Sequence, residues 1–557
     1  MISTLVRAVL LLSTLAASGT AIAARPFKVT QQTPVLNMVA GSTQQLQYQI
    51  TTTQQGNPVI VYCSINKDAL DTVNLQSGCT NPNGAGVEPG KPVPIVVNLK
   101  AGQQTGAVSH VLTVTDKTNP ADKLDIDYRI VKGSRKVTFR NQCPFDVWFG
   151  VASGSVAPKS GSSCTSDNDC PAGAACASNN ACYWKNPAPA DGNYRLTAYS
   201  GSGQPASNSI TIPDKSASNG LDQVWSGGFG ARTRKGGAWA TGDCGSDGNG
   251  GCKLGVGFAA PVTQMEVTMK PTTPDSYDVT IINGFNVPMQ MAPNVAVSSA
   301  NPYDCGTPGT AKTVHYTTSD GDTGALGGCT WKFTPPQTNY RYQFVDASPG
   351  GSCRTNADCG ANKACGLTTA NVKKNSDKLS CGTLLGYWTQ DQVCATNKGF
   401  SQSSIVDCTT TQYTPAVGPN TYTLFNLLAC TSSPPEATDD KSTFVSCFAK
   451  DGATSSPQCC GCVNWQSKNV KVPTDPSIVA QCQPKSTTAK PNSNWVNGVL
   501  PGLTWLKKAC PSAYTYPYDD KTATFGCPSS FNGGQSAVNY TLTFCPGGRT
   551  GMPSTLD

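Results

Sequence analysis

Apolar and polar residues alternate with period two over long stretches of this chain. Leu46, Tyr48 and Ile50 are interleaved with Gln45, Gln47 and Gln49, and Leu124, Ile126, Tyr128 and Ile130 with Asp125, Asp127 and Arg129. Successive side chains of a β-strand point to opposite faces, so this pattern predicts strands with one buried face. The turn-forming clusters AGST, QGNP and KAGQQTG divide residues 25–135 into about seven such strands, which predicts an Ig-like β-sandwich. Two shorter alternating runs, QMEVTM at 264–269 and SYDVT at 276–280, predict a pair of strands carrying Glu266 and Asp278 and leading to Asn283. Helical spacing occurs at Val499, Leu503, Leu506 and Cys510; Pro511 ends that helix, with Lys507 and Lys508 complementing its C-terminal dipole.

Composition changes this picture little but narrows it. Charged residues are 13% of the 557, while Gly (55) and Pro (40) are abundant. Such a chain suits turn-rich β architecture rather than long solvated helices. The net charge of +7 is spread over the whole length without a dense Lys/Arg run, so nucleic acid is not an expected partner. The first 24 residues join Arg7, the apolar run 8–17 and small residues at Ala21 and Ala23, which reads as a cleaved secretory signal peptide. No later apolar run reaches about 18 residues, so no membrane span is expected.

All 26 Cys follow that segment, which in an exported chain predicts disulfides rather than metal sites or reactive thiols. With two His in the chain (His110, His315), a His-based zinc centre or nucleophile–His pair is not expected, nor is any cofactor. Cys63 and Cys79, the two Cys of the first sandwich, are expected to bond to each other. Two inserted segments repeat one another: 163–184 and 352–388 share C-x5-C-x5-C, a fourth Cys and a closing Tyr-Trp. They predict two disulfide-clamped knobs. Asp169 and Asp358 precede the second Cys of each, but neither knob has the alternating carboxylates of a calcium loop, so turn capping is the expected role. The Lys-, Thr-, Ser- and Asn-rich stretches 366–380 and 484–494 read as exposed loops.

A series of motifs carries chemistry. WSGGFGART (225–233) is followed by ATGDCG (240–245), QMEVTM, SYDVTIINGFNVPM (276–289) and CPSAYTYPYDDKTATFGC (510–527), with VTFRNQCPFDVWFG (137–150) before them and VNYTLTFCP (538–546) after. In this order they resemble the thaumatin-like (pathogenesis-related group 5) proteins, whose motifs read WSGRFWGRT, ATGDCGG, AEF, FYDVSLVDGYNLPM and CPxAYSYxxDD…TFxC. The resemblance covers roughly 136–300 and 495–546. It implies a mainly β fold in which the Ig-like sandwich (25–135) is followed by a thaumatin-like flattened β-sandwich (136–557). Cys-rich insertions are expected within it at about 160–190 and 300–495, the latter as an expanded, disulfide-rich second lobe. It also implies the pairs Cys143–Cys545 and Cys244–Cys252. The stretch 429–465, with its Cys459–Cys460 doublet, resembles the family's compact Cys-rich lobe. Two Cys usual between the GRT and ATGDC motifs are missing here, which leaves the loop beside Arg232 with fewer staples.

Carried over position by position, the family's cleft falls on Arg232, Glu266, Asp278 and Asp519, with Asn283 where the middle Asp stands. Asp520 is adjacent to the last of these. Glycoside hydrolysis needs one protonated and one ionised carboxyl across the sugar, and an amide at 283 supplies neither. The resemblance therefore implies a secreted protein that binds β-glucan-type polysaccharide in an acidic cleft, with a defence or antagonistic role. A weak endo-β-1,3-glucanase with Glu266 as acid and Asp278 as base is the alternative. A surface interaction protein with a vestigial cleft is a third reading, and a mere ion pair on a solvated face remains open. Phe229, Trp239, Tyr277 and Phe285 lie close in sequence to the cleft positions as candidate sugar-stacking rings.

Overall fold

The computed structural model describes residues 26–30, 35–37, 43–65, 72–100, 106–132, 135–171, 174–212, 225–245, 250–270, 274–334, 340–346, 351–409, 411–413, 422–429, 463–473, 499–517, 519–528, 530–531, 536–550 and 556. The signal-peptide segment, the Cys459–Cys460 doublet and the 484–494 stretch lie outside them. The chain divides into two compact units, the first made mostly of residues up to 130 and the second mainly of 131–557.

In the first unit, one sheet orders the strands Lys28–Val29, Thr43–Thr51, Val93–Lys100 and Thr72–Ser77. The second places Gly106–Asp116 between Lys123–Lys132 and Val59–Ile65, followed by Ala85–Val87. Leu46, Tyr48 and Ile50 are buried while Gln45, Gln47 and Gln49 are exposed, so the alternation is realised as one inner and one outer face. The side chains of 126–134 lie outside the described residues. Cys63, on a strand of the second sheet, bonds to Cys79, in the turn after a strand of the first.

The second unit is built on two sheets packed face to face. One orders Ser207–Ile212, Arg135–Asn141, Tyr540–Phe544 and Met289–Pro293. The larger one runs Arg195–Leu196, Val147–Ser153, Trp225–Lys235, Gln264–Met269, Asp275–Thr280 and Ala513–Tyr514, with Phe525–Cys527 also paired to Asp275–Thr280. Phe139 of the first sheet stacks on Phe149 of the second at 4.1 Å and meets Phe229 edge-on at 5.3 Å. In Gln264–Met269 the residues Met265, Val267 and Met269 face this core, which leaves Gln264, Glu266 and Thr268 on the outer face. Chain ends are joined twice: Arg135–Asn141 lies parallel to Tyr540–Phe544, and Cys143 bonds to Cys545 across 402 residues. In the chain-entropy description a closure of that length stabilises by roughly 6 kcal/mol. At the same corner Arg135 and Asp275 form a fully buried ion pair, completed by hydrogen bonds from Tyr540 to Asp275 and from Arg135 to the Val538 carbonyl.

The two inserted knobs share one construction. Cys164–Cys176 and Cys170–Cys182 close the first, Cys353–Cys365 and Cys359–Cys381 the second. Asp169 accepts the backbone N–H groups of Thr165 and Ser166, and Asp358 those of Arg354 and Thr355. These bonds hold both carboxyls below the usual aspartate range, which is the behaviour of turn caps. Residues 366–380 differ from the expected loop. A short helix, Thr369–Lys373, is capped by Thr368 and buries Val372, because the fold needs an apolar plug there. The expected late helix is Leu500–Ala509, with Leu503 and Leu506 buried.

Candidate functional site

The outer face of the larger sheet holds the acidic residues. Antiparallel pairing sets Glu266 directly opposite Asp278 and, on its other side, opposite Gly228. Directly opposed residues on one face have Cβ atoms about 4.5–5.5 Å apart, so the two carboxyls are neighbours by register alone. Glu266 is exposed, yet lost solvation beside the surrounding protein raises its pKa. Asp278 lies deeper. Burial, then the charge of Glu266, then that of Asp520 push its pKa well above the ordinary aspartate value. Its Oδ1 is shielded from water and has no hydrogen-bond partner among the described residues. Two carboxyls held this close cannot both ionise readily, so the pair retains a proton to higher pH than an isolated acid. Asp278 is the better-placed holder of that proton, the reverse of the assignment that sequence resemblance implied.

The third acid is Asp520. It is exposed, its pKa is raised by lost solvation, and it accepts a 2.8 Å hydrogen bond from Tyr514. Tyr514 stands beside Thr280 through the parallel pairing of Ala513–Tyr514 with Asp275–Thr280, and its hydroxyl also meets Thr524. Burial first, and then the charges of Asp520 and Asp278, push the phenol pKa up, so the three groups lie near one another.

Asp519, the residue sequence matching selected, is elsewhere. It is buried, pairs with Lys507 at 2.8 Å, and accepts hydrogen bonds from Trp465, Thr515 and Thr522. A fully satisfied buried ion pair is a structural anchor, and the preceding turn aims Asp519 inward and Asp520 outward.

Arg232 also departs from expectation. Its side chain is buried, donating to the carbonyls of Phe149 and Gly250 and lying over the Trp239 ring at 4.7 Å. Burial lowers its pKa to about 10, and the charges acting on it are Tyr194, Asp243 and Arg234. The Cys244–Cys252 loop therefore covers this end of the sheet face, and Arg232 holds that loop rather than joining the acids.

Asn283 is half-buried in the turn after Asp275–Thr280, where its carbonyl accepts the Val262 N–H. The second lobe packs on this turn: Phe285 and Tyr387 exchange backbone hydrogen bonds, and Thr389 donates to the Ile282 carbonyl at 2.7 Å. Two residues beyond Thr389, in the first turn of Gln390–Thr396, stands Asp391, a carboxyl the sequence did not single out, whose pKa burial alone pushes up to about 6. No motif surrounds it, so its only signal was its position after the Thr389 cap.

The suggested aromatics resolve differently from one another. Phe229, Tyr277 and Phe285 are buried core residues. Trp239 is sandwiched between Arg232 and Arg234, 4.2 Å from the latter. Phe258 was missed. It is half-buried and lies on the outer face over Gly150 and Gly230, in the row next to that of Glu266.

With this geometry in hand, the relatives can be set beside it. Residues 196–460 match the Thaumatin family. The chain carries a thaumatin-like domain. It is 29% identical over 177 residues to Thaumatin-like protein 1a of Malus domestica, covering 30% of this chain and 53% of that protein. Over 100 residues it is 33% identical to a thaumatin-like protein of Actinidia deliciosa, 17% of this chain and 39% of that one. A 38-residue stretch, 7% of this chain and 13% of the relative, is 58% identical to a glucan endo-1,3-beta-glucosidase of Prunus avium. The matches thus span about half or less of these relatives. The second unit is mainly β and rich in disulfides, nine of them among the described residues. None of the described helices is long and apolar enough to cross a membrane.

Proposed function

We propose that this protein engages a β-1,3-glucan-type polysaccharide on the Glu266–Asp278 face, outside the cytoplasm, in defence against or antagonism of other cells. The observation that carries the reading is the register that sets these two carboxyls side by side on an open sheet face, with Asp520 and Tyr514 beside them. Carboxylates accept hydrogen bonds from vicinal sugar hydroxyls, and a retained proton adds a donor. The glucanase name of the Prunus avium relative supports the substrate class. The disulfide density supports an oxidising compartment.

Hydrolysis is the second reading, favoured by the raised pKa of the pair. Asp278 then donates the proton to the leaving oxygen and ionised Glu266 faces the sugar, in the acid/carboxylate division such chemistry requires. Asn283 removes one carboxyl from the set, so turnover is expected to be little or none.

The test is a pulldown of the full chain on insoluble β-1,3-glucan, chitin and cellulose, with reducing-sugar release measured alongside. Selective retention on β-1,3-glucan that Glu266→Gln and Asp278→Asn each weaken is the expected result. Retention on none of the three defeats the proposal. Robust sugar release, raised further by Asn283→Asp, moves the protein to the hydrolytic reading.

A further inference from the structure

The outer face beside the acid pair is built from rows set by strand register. One row crosses the sheet as Gly150, Gly230 and Gln264, and the next as Ala152, Gly228, Glu266 and Asp278. Adjacent rows on one face are about 7 Å apart. The two glycines of the first row are covered. A Cβ at Gly150 would fall 2.3 Å from the Phe258 ring and one at Gly230 would fall 2.9 Å from it, so the ring lies flat across both backbones. Gly228, in the acid row, is different. A Cβ there would meet nothing nearer than Gln264 Oε1 at 3.6 Å, and the residue is solvent-accessible where Gly230 is buried. The glycine pattern thus does two things: it seats an aromatic ring on the sheet, and it leaves bare floor between that ring and Glu266.

On the far side of the acids the following row presents Ser226, Thr268 and Ser276, all half-exposed on the same face. Across the face there is therefore an apolar plate, the uncovered Gly228, a carboxyl pair and a hydroxyl row. A pyranose has the complementary character, with C–H groups on one face and hydroxyls around its edge. We infer that the outer face of the Phe258 ring is the stacking platform of a pyranose subsite, with the sugar's hydroxyl edge reaching over Gly228 to Glu266. This rests on the polysaccharide reading above and adds to it the residue that orients the sugar and the uncovered glycine that its edge crosses. Phe258 lies in the segment between the Cys244–Cys252 bond and the strand Gln264–Met269.

The test compares binding isotherms of the full chain on insoluble β-1,3-glucan for Phe258→Leu, Phe258→Trp and Gly228→Gln, with thermal midpoints as the folding control. Leu keeps an apolar cover on Gly150 and Gly230 but loses the flat ring, and is expected to weaken binding about tenfold. Trp keeps the platform and is expected to bind at least as well as the unmodified chain. Gly228→Gln fills the floor and is expected to abolish retention at an unchanged thermal midpoint. If Phe258→Leu and Gly228→Gln both bind like the unmodified chain while Glu266→Gln does not, the subsite is refuted and the polysaccharide reading stands. If the unmodified chain binds no glucan, both fall together. If Phe258→Trp loses binding as fully as Phe258→Leu, the ring is a packing element and the platform is refuted.

Discussion

The acid pair places a cost on the fold that can be measured at single residues. Asp278 has a folded pKa raised above its unfolded value, so the folded state binds its proton more tightly. Stability from that proton is fully present below the unfolded aspartate range and is lost as pH climbs from there through the raised folded pKa. Asp278→Asn is therefore expected to raise the thermal midpoint at pH 7 by about 1–3 °C, with the gain vanishing near pH 3; scanning calorimetry at both values checks this. Asp519 carries the opposite expectation. Lys507→Met leaves its carboxylate buried without a counter-ion and is expected to cost about 3–5 kcal/mol in denaturant unfolding, whereas Asp520→Asn, at an exposed position, is expected to leave the unfolding curve unchanged and alter binding. The distinction between these two neighbours was not legible in the sequence. Consecutive Asp residues in a turn have no periodicity to say which points inward, and Lys507, Trp465, Thr515 and Thr522 decide it. Glu266 and Asp278 were legible, because alternation assigns both to outer faces and strand pairing does the rest.

At the level of elements, what repeats in the chain repeats in space. The shared Cys spacing of the knobs becomes the same pair of crossed bonds, and even the cap is duplicated: Asp167 accepts the Cys176 N–H where Asn356 accepts that of Cys365. Non-reducing peptide mapping is expected to return Cys164–Cys176 with Cys170–Cys182, and Cys353–Cys365 with Cys359–Cys381; a cross-link from either knob to another part of the chain would contradict this construction. The Arg232 strand shows where element-level reading fails. Arg232 shares its face with Gly230 and Gly228, so alternation correctly puts it on the acids' side of the sheet. What sequence could not supply is the Cys244–Cys252 loop folding over that end of the face and taking the guanidinium for Gly250. Phe258 escaped for the same reason, since its position over two glycines is a tertiary contact with no local pattern.

For the whole molecule, the first unit has its own two sheets and its own Cys63–Cys79 bond. A fragment of residues 25–134 is expected to unfold cooperatively when heated; a featureless circular-dichroism melt would show that the boundary is misplaced. The second unit behaves otherwise, and the cause is the strand Arg135–Asn141. One of its two neighbours is Ser207–Ile212, but the other is Tyr540–Phe544, and its Cys143 bond also reaches to 545. A ribosome adding about 5–20 residues per second needs on the order of 20–80 s to make the intervening ~400 residues. Throughout that interval the strand has one edge unpaired, and a chain truncated anywhere before residue 540 keeps it so permanently. Native assembly of this unit is thus reserved for chains translated through their last strand, and incomplete products carry an open edge by which they aggregate or are recognised and degraded.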